Sequence, residues 1–592
     1  MSQPTNQPTN QLTNQPTNIT VETVLWALIA LIALAFRLSH LDAAPLNAGE
    51  AREAMFAWRA ATGVGLPFHA NYSPLLFVAN SLLFTLCGTS DALARLWPAL
   101  FGSALALTPF LLRQRIGRVG ALAAGLYLAL SPTALFASRQ LDGAVVAAVG
   151  GMTFLGSLVR FLDTDRRPWL TLSAGGLALA VSSSSSAYGL LLTLGLAWLI
   201  LSRFTFHTSR FMSHVSRSSL VFLLATLALS TGLGWNPGGL GAAGDLLPAW
   251  IARFGSVSAP VASPLTLVAI YEPLVLLFGL GGLVWAMRRG QRFGALLGLW
   301  AGLGALLLAL MPGRAPLDML WVVLPLVVLT GIAVERLVRG LQAGGAWLSE
   351  GLYVPVVLSL WAHFYLVLAR YAEFGNPVDL TLALLVVALQ VLLAIVFALA
   401  MHLHAALRGV VVGTGIVLLA VTLSVGWGLA HVRPADPREL LVRQPTAIEV
   451  RDLVRTLRDL SWRETGMPTT LPFTLEAIPD PVLAWYLRDF SAARRVESLG
   501  TEEIGPVLVT SRRELTLPDV PDDAGFVGQD FALRRSWNPV EVGCVWQWPP
   551  RCEATVGWLL LRRTPSLPVA DGWAVLWLRR DMTNSHISSH SH

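Results

Sequence analysis

Two short stretches bring acids and bases together in a sequence that is otherwise largely apolar. The first, LDAAPLNAGEAREAMFAWRAATG, sets Glu50, Arg52 and Glu53 at the head of an amphipathic run continuing through Ala54, Phe56, Ala57 and Trp58. Asn47 is a helix cap by type, and acids just after a cap sit well against the positive end of the helix dipole. The second, SRQLDGA, holds Arg139 and Asp142 three residues apart, on one face if helical. One carboxylate from each stretch, Glu50 and Asp142, makes a pair able to position and deprotonate a hydroxyl. Arg52 and Arg139 are suited to holding a phosphate through charge-assisted hydrogen bonds. Simpler accounts stand beside this one: capping of an interfacial helix for the first stretch, and an Arg139 to Asp142 ion pair for the second.

The elements that must position these residues follow from composition. Of 592 residues 54% are hydrophobic and 13% charged, where a soluble domain has about one quarter charged. The apolar residues fall into blocks of roughly 17 to 25, the length that crosses a bilayer as helix. Val21 to Leu38 begins the series, and twelve more spans are expected at 95–112, 119–136, 143–161, 168–184, 187–203, 218–235, 264–287, 293–311, 317–338, 352–369, 380–401 and 410–431. Leu75 to Gly88 has only about 14 apolar residues, a length suited to a re-entrant or interfacial helix. With the N-terminus in the cytoplasm, thirteen crossings leave Arg113, Arg115, Arg118, Arg166, Arg167, Arg288, Arg289, Arg292, Arg336 and Arg339 inside. A further crossing at Leu75 to Gly88 would put the same arginines outside. The expected fold class is therefore mainly α, a polytopic bundle with a C-terminal extracytoplasmic α/β domain.

The divisions expected are a disordered polar tail at 1–20, a membrane domain at 21–431 with its long first outer loop at 39–94, and a soluble domain at 432–592. The tail repeats Gln-Pro-Thr-Asn and carries no Lys or Arg, so the first apolar block reads as a retained helix and not a secretory signal. In the distal domain Ile448 to Leu460 and Pro481 to Phe490 have helical spacing, while 506–511, 556–563 and 573–580 resemble strands. Basic residues gathered in short loops match cytoplasmic loops, so nucleic acid is not an expected partner. Cys544 and Cys552 flank Pro-Pro in an oxidising compartment and are either a local disulfide or two free thiols. The serine run 182–186 reads as a polar helix end in preference to a binding loop, and His402 and His404 as a solvated helix end. The C-terminal HISSHSH lacks a scaffold for a metal, and the Gly- and Pro-rich loop 236–263 is either a gate or a connector.

The order of these pieces resembles the membrane glycosyltransferases of the GT-C fold, in glycosyltransferase family 39 and its relatives. The resemblance rests on the first helix, the long outer loop, the Pro-led segment SPLLFVANSLLFTLCGTSDALARLWPALFG (73–102), the SRQLD turn and the thirteen-span layout. DPVLAWYLRDFSAARRVESL (480–499) is similar to a segment of a bacterial and archaeal subgroup labelled flippase-associated. The resemblance implies transfer of a sugar from a polyprenyl-phosphate donor to an extracytoplasmic glycan, lipid or protein acceptor. It implies Glu50 and Asp142 as the catalytic acids, and Arg52 and Arg139 as binders of donor phosphate. Arginines stabilise the departing phosphate without metal, so no cofactor is expected. Family members carry Asp-Glu where this sequence has Gly49-Glu50, and some carry Lys where it has Ser73. The alternative is a catalytically degenerate relative that serves as a lipid-glycan binding or flippase-associated scaffold. Either protein would sit in the cell membrane among membrane lipids. The distal domain is expected to cover the cleft.

Overall fold

The computed structural model describes residues 20–65, 72–202, 209–256, 262–344, 347–476, 480–496, 505–512, 525–543 and 552–580. Each of the thirteen expected spans coincides with helix. Among the described residues eight helices are long and apolar enough to cross a membrane, or ten if two bent pairs each count as one. The three expected spans beyond these match shorter helical stretches, Arg167–Val181, Ala187–Ser202 and the described part of Ser209–Thr231. Pro74–Cys87 is a helix of 14 residues, short as its sequence predicts. Close packing relies on small residues, as it does where lipid competes for apolar contact. At Gly120 an added Cβ would lie 2.4 Å from the Gly331 carbonyl oxygen.

Proline places the two bends, 56° between Arg118–Leu130 and Pro132–Ser138 and 106° between Pro264–Tyr271 and Pro273–Arg288. The first bend shows how freed backbone is satisfied inside a bundle. Pro132 has no N–H for the Leu128 carbonyl, and the Thr133 N–H donates instead to Glu272 at 2.9 Å. Arg37, fully buried at the end of the first span, fills both gaps: it donates to the carbonyls of Leu128 at 2.8 Å and Ala129 at 3.0 Å.

The C-terminal region holds β1 (Phe473–Glu476), β2 (Ala493–Val496), β3 (Val507–Arg512), β4 (Phe526–Ala532), β5 (Arg535–Ser536), β6 (Val569–Ala570) and β7 (Trp573–Arg579). Its main sheet runs β2-β1-β3-β7-β4, with β1 parallel to both β2 and β3, and β7 antiparallel to both β3 and β4. The expected helices appear as Glu449–Thr465 and Pro481–Tyr486, and two of the expected strands as β3 and β7. The third, 556–563, is instead the helix Glu553–Leu561, lying along Trp347–Phe374 with Gly557 and Trp558 buried. A short continuous apolar run does not distinguish helix from strand, and packing on a neighbouring helix decides it. Cys552, at the head of this helix, is disulfide-bonded, while Cys544 lies outside the described residues. So do 1–19 and the C-terminal histidine run.

Asp91 clamps this region to the bundle. It accepts from Trp485 Nε1 at 2.9 Å and Tyr486 OH at 2.6 Å, and pairs with Arg451 at 2.9 Å. Tyr486 OH in turn accepts from the Leu46 N–H at 2.9 Å, and Thr446 Oγ1 donates to the Leu46 carbonyl at 2.7 Å. The distal region thus grips the chain one residue before Asn47, the cap of the outer-loop helix Ala48–Ala61.

Candidate functional site

The outer-loop helix starts with a capping box: Asn47 Oδ1 accepts from the N–H groups of Gly49 and Glu50, while Glu50 Oε2 accepts from the Asn47 N–H at 3.0 Å. Capping was one of the simpler accounts of this stretch, and it describes Glu50 well. Arg95 donates to Glu50 through Nε at 2.8 Å and Nη2 at 2.7 Å, and the Leu141 N–H donates to it at 2.8 Å. Both side chains are 3% exposed. A carboxylate so fully engaged is poorly placed to take a proton from an acceptor. Arg139 departs from its expected role in the same manner. Its guanidinium is spent on the carbonyls of Arg37, Ser39 and His40, at 3.1, 2.6 and 2.6 Å, closing the end of the first span. Burial, with the charge of Arg95 adding to it, lowers its pKa to about 10, so it remains a cation at neutral pH. The simpler Arg139 to Asp142 ion pair is not formed among the described residues.

Asp142 faces the other way, into a cavity of about 270 Å³ that Glu53 and Arg52 also line. One Asp142 oxygen accepts the Ala144 N–H at 2.7 Å and so caps the helix Ala144–Thr164. The residue is exposed within this concave space, and enclosure by protein pushes its pKa upward; the Ala144 N–H pulls against that and the charge of Asp318 adds to it. Glu53, one turn beyond Glu50, accepts the Ser73 N–H at 3.1 Å. Burial raises it to about 7, against the pull of that N–H and of Arg52, with Asp142 adding repulsion. Arg52 is exposed at the rim and makes no ion pair among the described residues.

The opposite wall comes from the serine run. Ser183, Ser184 and Ser185 line the cavity, and Ser73 Oγ donates to the Ser183 carbonyl at 2.6 Å. Gly143 explains how the SRQLDGA turn packs here, since a Cβ on it would lie 1.8 Å from the Ser183 oxygen. Gly49 also lines the cavity, and an added Cβ would meet only Asn47 Oδ1, at 3.2 Å. Leu246 and Ala249 place the helix Gly239–Ala252, within the 236–263 loop, on the rim. His402 and His404 are exposed and do not join the cavity.

The structure thus gathers Glu50, Arg52 and Asp142 around one cavity and leaves Arg139 outside it. Glu53 and the serine run are visible in the sequence, as part of the amphipathic run and as a polar helix end or binding loop, but neither was among the expected catalytic or phosphate-binding residues. For Glu53 a signal existed, its i,i+3 spacing from Glu50; for the serines there was none beyond polarity. No described residue of the distal region lines the cavity, and the described contacts of that region hold the loop beside it.

No family profile matches the chain, and no curated protein matches it. Among the solved structures similar to it are two of one protein. The crystal structure of ArnT from Cupriavidus metallidurans in the apo state is 18% identical, covering 79% of this chain and 85% of that one, with a TM-score of 0.52. The crystal structure of the same ArnT bound to undecaprenyl phosphate is 18% identical, covering 82% and 92%, with a TM-score of 0.53. The likeness shows the GT-C fold that the sequence resembles.

Proposed function

We propose, from a fold shared with a protein solved in complex with undecaprenyl phosphate, that this chain is a membrane glycosyltransferase. It transfers a sugar from a polyprenyl-phosphate donor to an extracytoplasmic hydroxyl acceptor, which is a glycan, a lipid or a protein. The observation that carries the reading is the cavity in which Glu53, Asp142 and Arg52 converge. The acceptor oxygen attacks the anomeric carbon, its proton passes to Glu53, and the bond to the phosphate oxygen breaks, the lipid phosphate leaving with the electron pair. A carboxyl near 7 is matched to proton transfer at neutral pH. Asp142 orients the hydroxyl, and Arg52 balances charge on the departing phosphate. Glu50 and Arg139 act as positioning residues, fixing the outer-loop helix and the end of the first span. No resident cofactor is assigned.

The chain is placed in the cell membrane with its N-terminus in the cytoplasm and residues 432–592 outside as a separate domain. The arginine distribution and the disulfide at Cys552 support this orientation. The test is release of polyprenyl phosphate by purified protein supplied with polyprenyl-linked sugars and candidate acceptors. Glu53→Gln and Asp142→Asn are each expected to lower kcat by about 100-fold or more. Transfer unchanged in both variants rules the reading out.

Gly49 favours a second reading, a relative that binds lipid-linked glycan without turning it over, because the carboxylate the family carries there is missing from the cavity wall. Gly49→Asp separates the two. A scaffold gains transfer from the restored acid, whereas an enzyme running on Glu53 changes little.

A further inference from the structure

A second cavity, about 550 Å³, lies where the distal region meets the bundle and shares no lining residue with the first. Its walls are apolar: Phe36 from the first span, Leu423 and Trp427 from the helix Leu403–Trp427, and Leu559 from the helix Glu553–Leu561. Leu423, Trp427 and Leu559 are 40%, 47% and 41% exposed, open to whatever fills the groove. Its polar end is built from Arg433 and Arg562, which both donate through Nε to one oxygen of Glu439, each at 3.0 Å. Tyr271 OH donates to the other oxygen at 2.8 Å.

Two guanidinium groups share one carboxylate here, so a positive charge is left over. Glu439 is 1% and Arg562 6% exposed, which fixes them as a rigid base. Arg433 is 30% exposed and makes no other side-chain hydrogen bond among the described residues, so its terminal nitrogens have donors to offer. The excess cation lies at the end of the spans, beside the kind of tryptophan that marks the bilayer interface. Basic pockets between membrane helices suit lipid headgroups, whose chains then run down the apolar wall.

We propose that this groove binds an anionic phospholipid from the leaflet beside the distal region. The phosphate accepts from Arg433, and an acyl chain lies over Leu423, Trp427 and Leu559. The single excess charge complements one phosphodiester and disfavours a zwitterionic headgroup, whose own cation is repelled. This inference does not depend on the proposed catalysis, since the two cavities are separate.

The experiment is native mass spectrometry of the full-length protein with phosphatidylglycerol, phosphatidylcholine or undecaprenyl phosphate. Phosphatidylglycerol adducts are expected to exceed phosphatidylcholine adducts at least fivefold. Arg433→Gln is expected to cut the phosphatidylglycerol adduct at least fivefold, and Leu423→Trp, which fills the groove without touching charge, to do the same. If Arg433→Gln loses its thermal transition, Leu423→Trp decides. Equal adducts of the two phospholipids, retention by the deciding variant, or displacement of phosphatidylglycerol by undecaprenyl phosphate each overturn the proposal.

Discussion

Glu50 and Glu53 are the same residue type one helical turn apart, and their neighbours give them different work. Glu50 meets a buried guanidinium and two backbone N–H groups, which hold its charge in place. Removing it leaves Arg95 buried without its counter-ion, so Glu50→Ala is expected to destabilise the protein by about 3–5 kcal/mol, seen as a lower melting temperature in detergent. Restoring neutrality with Glu50→Ala and Arg95→Met together should recover part of that loss. Glu53 has one N–H donor and protein around it, and titrates at about 7. On the proposed mechanism the rate therefore rises as pH passes through about 7 and Glu53 ionises, and Glu53→Gln removes that limb from the pH profile. The sign for stability is the opposite. A carboxyl raised by folding opposes its own ionisation, so stability falls between the ordinary carboxylate range and about 7, and Glu53→Gln flattens the fall. That both acids share a helix face was readable from their spacing. Which one would be neutralised was not, because Arg95 lies 45 residues away and Leu141 91 residues away from Glu50.

The elements were legible wherever length and apolarity alone decide them. Thirteen apolar stretches became thirteen helical ones, and the short Leu75 to Gly88 run stayed short. Where a partner decides, the sequence was mute: 556–563 is helix because it lies on Trp347–Phe374, and nothing within the run announces that neighbour. The SRQLDGA turn has the same lesson. Its Arg and Asp suggested a pair, yet its glycine carries the packing, since the Ser183 carbonyl occupies the space a side chain would need. Gly143→Ala forces the two loops apart and is expected to cost about 1–3 kcal/mol, with a matching loss of transfer as the cavity widens. The Asp91 clamp tests the join between elements. Asp91→Ala removes the acceptor for Trp485, Tyr486 and Arg451 together. Hydrogen exchange should then speed up in Glu449–Thr465 and Pro481–Tyr486, while Ala144–Thr164, which the clamp does not touch, keeps its protection.

Across the whole molecule, the chemistry and the grip on it come from different parts of the chain. The cavity is built from loops at one end of the bundle, and the distal region fixes Leu46 and Asp91 just behind the outer-loop helix. Thirteen crossings would put the cavity, the Cys552 disulfide and the distal sheet on one side, and the arginine-rich loops on the other. Orientation in the membrane is therefore a single unknown with two values, and one native residue reports on it. Cys87 is a free, exposed thiol at the end of Pro74–Cys87, just before Asp91. A membrane-impermeant maleimide added to intact cells is expected to label Cys87. A cysteine introduced at Arg115, whose side chain is 44% exposed in an arginine-rich loop, should label only after the membrane is opened. The reverse pattern would place the cavity in the cytoplasm. A lipid-linked donor would then have to be used on that face, and the positive-inside distribution that argues for thirteen crossings would lose its force.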